Sequence, residues 1–137
     1  MGRISRKEYF MSIAELAALR GTCPRAQVGC VLVDERNRIK ATGYNSHCDD
    51  HGCFISEGHC IRTIHAEAAA VLNLEKQYSN LTAFVTHEPC MHCYKILTAA
   101  GVTFIYYKFP YGEHEDEYYE LQNEIGVKMK EFANVPF

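Results

Sequence analysis

Apolar and polar positions along this chain fall into a few clear rhythms. After Ser5, the residues Phe10, Ile13, Ala14, Leu16 and Ala17 recur at three- and four-residue spacing, which predicts an amphipathic helix. Ser5 and Glu8 have the spacing of a capping box, and Gly21, just after Arg20, is the expected C-terminal stop. The run 28–33 is almost wholly apolar and reads as a buried strand. Asp34-Glu35-Arg36-Asn37 is a turn, and 38–44 is a second strand, so the short connection makes an antiparallel hairpin. The stretch 45–64 has no period, and so long an irregular segment in a compact domain implies a function or a staple. Residues 65–74 read as a helix that is apolar on most sides and therefore buried. A strand over 81–86 follows, then a helix over 90–100 begun by Pro89 and stopped by Gly101. A strand over 103–107, a helix over 116–124 closed by Gly126, and a short strand over 127–129 complete the pattern.

Helices and strands alternate after the hairpin. Each connection is long enough for a helical crossover, so those strands are expected to run parallel. The expected fold class is α/β: a mixed five-stranded sheet, antiparallel in the first hairpin and parallel elsewhere, with helices on both faces. One domain over 1–137 is expected, since 137 residues can enclose a single sizeable core.

Composition narrows the function. Hydrophobic residues at 47% and charged residues at 23% are ordinary for a soluble globular protein. No apolar run approaches the ~20 residues that span a bilayer, and residues 1–8 lack the apolar core of a signal peptide. Position six is Arg6, where a myristoylation signal needs Ser or Thr. A cytoplasmic protein with no membrane partner is the expectation. The net charge is −3, and Glu113, Glu115, Asp116, Glu117, Glu120 and Glu124 make the last third acidic. Without a basic stripe, a small substrate is expected and a nucleic-acid polymer is not.

Seven cysteines without a secretory signal suggest metal binding or chemistry before disulfides. Cys30 lies in the apolar run and reads as a small buried hydrophobe. Cys23, Cys48, Cys53 and Cys60 remain as candidates for a closed, structural zinc site, with His59 or His51 able to replace one of them.

The chemistry concentrates in His65-Ala66-Glu67 and Pro89-Cys90-Met91-His92-Cys93. One imidazole and two thiols suit zinc and leave a fourth tetrahedral position open, the mark of a catalytic site. Positions i and i+2 do not share a helix face, so Glu67 is poorly placed to ligate beside His65. It could instead exchange a proton with a water acidified by the metal. A structural zinc knuckle or an isolated C-x-x-C redox pair are the competing readings, and the upstream H-A-E and Pro89 weigh against both. His87 and His92 read as polar neighbours of the motif, not as ligands.

H-x-E with P-C-x-x-C resembles the zinc-dependent nucleobase and nucleotide deaminases. Cys23-Pro24-Arg25, Val28-Gly29-Cys30, Gly43-Tyr44-Asn45, the run 59–67 and the run 85–90 together resemble the deoxycytidylate (dCMP) deaminases, over nearly the whole chain. The resemblance implies a three-layer α/β/α cytidine deaminase-like fold and the hydrolytic deamination of dCMP to dUMP and ammonia, which supplies dUMP for thymidylate synthesis. It implies that His65, Cys90 and Cys93 hold the catalytic zinc and that Glu67 is the proton shuttle. The Ala66 N–H would donate to the base O2, the Glu88 carbonyl would accept from the exocyclic amine, and Asn45 would bind the 3′-hydroxyl. Tyr111 would lie near the substrate, and Arg25, then Arg62, are the candidates for the 5′-phosphate. A second zinc, activation by dCTP, inhibition by dTTP and a homohexamer also follow from the resemblance. Two departures bear on regulation: Ser46-His47 follows Asn45 in a shortened loop, and Ala69 stands where the family commonly has Asn. An effector would sit near residues 43–48 and 73–76. The rival functions are another nucleoside or nucleotide deaminase, a tRNA adenosine deaminase, and a non-catalytic zinc-binding interaction module.

Overall fold

The structure, a computed structural model, describes residues 2–23, 26–48, 55–56, 59–60 and 62–132, with 55–56 and 59–60 described in backbone only. In chain order the elements are α1 (Arg6–Ala18), β1 (Gly29–Asp34), β2 (Ile39–Tyr44), β3 (Ser46–His47), β4 (Ile55–Ser56), β5 (His59–Cys60), β6 (Thr63–Ile64), α2 (Ala66–Leu72), β7 (Leu81–His87), α3 (Met91–Ala99), β8 (Val102–Phe109), α4 (Asp116–Ile125) and β9 (Lys128–Glu131). The main sheet has the order β2-β1-β7-β8-β9. β1 is antiparallel to both neighbours, while β7, β8 and β9 are mutually parallel, as expected for a hairpin followed by helical crossovers.

The two faces of the sheet follow the period-two alternation of its strands. Cys30, Leu32, Ala83, Val85 and Ile105 point into a core closed by Ala66 and Ala70 of α2, Tyr94 and Leu97 of α3, and Tyr118 of α4. Val31, Val33 and Phe84 point the other way, onto Phe10, Met11 and Ala14 of α1. Two glycines on adjacent strands, Gly29 opposite Tyr44 and Gly43 opposite Cys30, let helix backbones lie directly on the sheet. A Cβ on Gly29 would fall 1.9 Å from the Ala14 carbonyl oxygen of α1, and one on Gly43 would fall 2.4 Å from the Ala70 nitrogen of α2.

Several local expectations are corrected. Ser5 caps α1 as expected, accepting from the Glu8 N–H at 3.1 Å. The helix nevertheless ends at Ala18, and Gly21 is not in the left-handed conformation of a stop. Its missing side chain instead makes room for Asn45, whose Oδ1 would lie 2.6 Å from an added Cβ. Gly101 and Gly126 do take left-handed φ angles, 103° and 82°, after α3 and α4. α2 is shorter than the apolar pattern suggested, and its last residue, Leu72, is exposed. The aperiodic stretch 45–64 is not wholly irregular: β3 pairs with β6 and β4 with β5, each antiparallel. Ladders of two residues are too short to leave a period in the sequence. No helix among the described residues is long and apolar enough to cross a membrane.

Candidate active site

The site lies where two helices begin beside the carboxyl end of β7. His65 is the N-cap of α2 and Cys90 the N-cap of α3, both with extended backbone, and Cys93 lies in the first turn of α3. The sequence pattern starts the two helices at these residues, and the structure starts them one residue later. The shift places both side chains at the open end of a helix, where backbone N–H groups lack helical acceptors, and neither side chain is used to cap one. The helix dipoles there favour thiolate.

His65 Nδ1, Cys90 Sγ and Cys93 Sγ all lie within 4.8 Å of one another. The imidazole nitrogen is 3.2 Å from Cys93 Sγ and 3.9 Å from Cys90 Sγ. Nitrogen and sulfur on one tetrahedral zinc, at ordinary bond lengths, stand about 3.5 Å apart. The observed separations bracket that value, so the three side chains fit the ion with little movement, and one coordination position stays open. Without an ion the cluster holds its protons unevenly. Cys90 is brought down to about 3, first by the Cys93 thiol that donates to it and further by the His65 ring. The bond to Cys90 and burial push Cys93 far up, while the bond to Cys90 raises His65. This is a ready metal cradle: thiolate character already exists before binding.

Glu67 follows two residues after His65 and is only 5% exposed. Burial, opposed by the His65 charge and by hydrogen bonds, lifts its carboxyl to about 7. A carboxyl poised near neutrality beside an open metal position suits proton transfer in both directions. Ala66, between them, is fully buried and opens α2, where N–H groups have no helical acceptor.

The other expected residues are placed less simply. Asn45 is buried, and its amide is already engaged: Oδ1 accepts from the Val28 N–H and Nδ2 donates to the Ala26 carbonyl, both at 2.7 Å. One lone pair and one amide hydrogen remain for a ligand. Glu88 offers more than the carbonyl that the resemblance assigns to the substrate. Its carboxylate accepts from the Tyr111 N–H at 3.0 Å and lies 2.6 Å from His114 Nε2. Tyr111 is exposed, with its ring stacked on His114. His87 sits against Thr86 and Phe109, and His92 is exposed; neither joins the ligand cluster. Of the second-zinc cysteines, Cys23 is buried and Cys48 exposed. Cys53, the side chain of Cys60, and Arg25 lie outside the described residues.

Sequence reasoning missed His114 and Tyr118. Tyr118 is fully buried and donates to the carbonyl of Pro89, next to Cys90, at 2.7 Å. Both sit in the acidic stretch of the last third, and no residue pattern marks them.

The fold and this donor set define a zinc-site deaminase, and comparison gives the family. The "Cytidine and deoxycytidylate deaminase zinc-binding region" matches residues 4–109. The ComE operon protein 2 of Bacillus subtilis is 40% identical over 96% of this chain and 73% of its own. The deoxycytidylate deaminase of Mycobacterium phage D29 is 34% identical over 78% of this chain and 97% of its own. The crystal structure of dCMP deaminase from the cyanophage S-TIM5 in complex with dCMP and dUMP superposes with a TM-score of 0.80 at 27% identity, covering 96% of this chain and 100% of that one. The chain belongs to the cytidine and deoxycytidylate deaminase family, a class of zinc-dependent hydrolytic deaminases.

Proposed function

We propose that the protein deaminates dCMP, consuming water and releasing dUMP and ammonia. The observation that carries this is the convergence of His65, Cys90 and Cys93 at two helix starts, with Glu67 buried on the same turn as His65. Relatives named deoxycytidylate deaminase and the similar dCMP-bound structure support the substrate. His65, Cys90 and Cys93 would hold zinc, which would supply an acidified water for addition at C4 of the base. Glu67 takes that water's proton, delivers it to N3, and returns a proton to the departing ammonia. The Ala66 N–H holds O2, and the Glu88 carbonyl accepts from the exocyclic amine. Asn45 uses its remaining amide capacity on the 3′-hydroxyl while it holds the 26–28 backbone. Tyr111 lies over the base or sugar, and Arg25 meets the 5′-phosphate.

The same reading includes one deaminase domain over 1–137, cytoplasmic operation and supply of dUMP for thymidylate synthesis. It also includes a homohexamer, dCTP and dTTP as effectors, and a second zinc on Cys23, Cys48, Cys53 and Cys60. The spacing of those cysteines supports the second zinc and the family resemblance supports the hexamer and the effectors, while the short loop after Asn45 and Ala69 count against strong regulation. Metal analysis of purified protein reads the second zinc directly: two ions per chain are expected, and one discards it. For the substrate, zinc-loaded protein is offered dCMP, dCTP, cytidine, deoxycytidine and guanine, and ammonia release is scored. Turnover of dCMP well above the others is expected; turnover only of an unphosphorylated substrate overturns the assignment.

A further inference from the structure

Residues 110–115, between β8 and α4, are bound to the segment that leads into Cys90 through side chains and not only through the sheet. The Glu88 N–H donates to the Phe109 carbonyl at 2.9 Å, which continues the β7–β8 pairing. Beyond that the contacts change character. One carboxylate, that of Glu88, takes the Tyr111 N–H on Oε1 and the His114 ring on Oε2. A carboxylate with two such donors is an acceptor, so Nε2 is assigned as the protonated ring nitrogen. The side chains of His114 and Glu88 are only 5% and 10% exposed. The His114 N–H is bonded to the Tyr119 hydroxyl at 3.1 Å, and its ring meets Tyr118 edge-on at 4.6 Å. Its flat face lies on Tyr111, 5.1 Å between centroids and 11° from parallel.

An apolar contact would attach this strap without desolvating a carboxylate and an imidazole, each of which costs free energy to bury. What the polar pair adds is direction. It fixes the angle of the strap, and the ring stack passes that angle to Tyr111. Tyr111 is 65% exposed and leaves its outer face open, beside the residue whose carbonyl the deamination reading assigns to the substrate amine. We propose that His114 is a positioning residue for substrate binding: through Glu88 and through its stack it fixes Tyr111 as a wall of the nucleotide pocket. This rests on the dCMP deaminase reading and extends it to residues beyond the matched zinc-binding region.

The test compares wild type, His114→Ala, His114→Gln, Tyr111→Ala and the double Ala variant, all zinc-loaded. KM and kcat for dCMP, Kd for dUMP by calorimetry, zinc content and melting temperature are measured. Wild-type turnover is read first, since its absence overturns the function itself. With an active wild type, His114→Ala should raise KM and the dUMP Kd about tenfold and move kcat far less, with zinc unchanged, because aromatic contacts of this kind are worth about one decade in affinity. The double variant should be no worse than either single one. Gln keeps a donor for Glu88 but no ring, so it should recover melting temperature more than KM. Unchanged KM in His114→Ala, additive losses in the double variant, or kcat, KM and zinc falling together would overturn the positioning role and leave the deaminase reading standing.

Discussion

Gly43→Ala tests how tightly the sheet sets the catalytic helix. The added Cβ would lie 2.4 Å from the Ala70 nitrogen, 2.5 Å from the Ala66 carbonyl oxygen and 2.8 Å from the Ala70 Cα, all backbone atoms of α2. Backbone cannot rotate aside as a side chain can. Restoring ordinary contact therefore moves the start of α2 by about 1 Å, with overpacking that costs ~1–3 kcal/mol. For a domain of this length that is a fall in melting temperature of about 3–10 °C. The displaced turn carries Glu67 and follows His65, so a misplacement of this size should lower kcat/KM roughly 10²-fold in the molecules that remain folded. Gly29→Ala is the control. Its Cβ would lie 1.9 Å from the Ala14 carbonyl oxygen and 2.7 Å from the Ala18 nitrogen, both in α1 on the opposite face. It should cost at least as much stability and much less activity per folded molecule. The assay is melting by circular dichroism, with zinc content and dCMP kinetics taken well below both transitions. Near-wild-type kcat/KM in Gly43→Ala, or equal activity losses in the two variants, would refute this reasoning.

Asn45→Ala removes the partners of two backbone groups, the Val28 N–H and the Ala26 carbonyl, and should cost about 2 kcal/mol or more, read as a lower melting temperature even without substrate. A variant that melts like wild type would show that the amide does not brace this loop. Removing metal with a chelator should expose Cys90 to alkylation, because its thiol is half-buried and held down toward thiolate, while Cys93 and Cys30 are fully buried and pushed up. Within the His65–Cys90–Cys93 cluster, peptide mapping should find the zinc-dependent label on Cys90; equal labelling of Cys93 and Cys90 in the metal-free protein would contradict the cluster's uneven proton distribution.

Much of this molecule is readable from residues alone, for physical reasons that differ by element. The strands at 28–33 and 81–86 announce themselves because both faces of the sheet are covered, so apolar residues run through both, interrupted in the second only by Thr82 and Thr86. The metal cradle is legible because its ligands come from local motifs and their spacing alone places them at helix starts. What stays hidden is set by tertiary partners. Gly21 looks like a helix stop, yet its role is to clear space for Asn45, far along the chain. β3 to β6 are pairs of two residues held by their neighbours, with no period of their own. His114 is a single imidazole in an acidic run, and only its approach to Glu88 gives it a place in the site.

In the proposed reaction Glu67 serves the chemistry and the three ligands serve the metal. Glu67→Gln, purified with zinc, measures this most directly, since the amide keeps the shape of the carboxyl but can no longer take up and release a proton. The variant should fold, retain its catalytic zinc, and lose dCMP turnover by roughly 10²–10⁴-fold. Turnover close to wild type in a zinc-replete Gln variant would contradict the account.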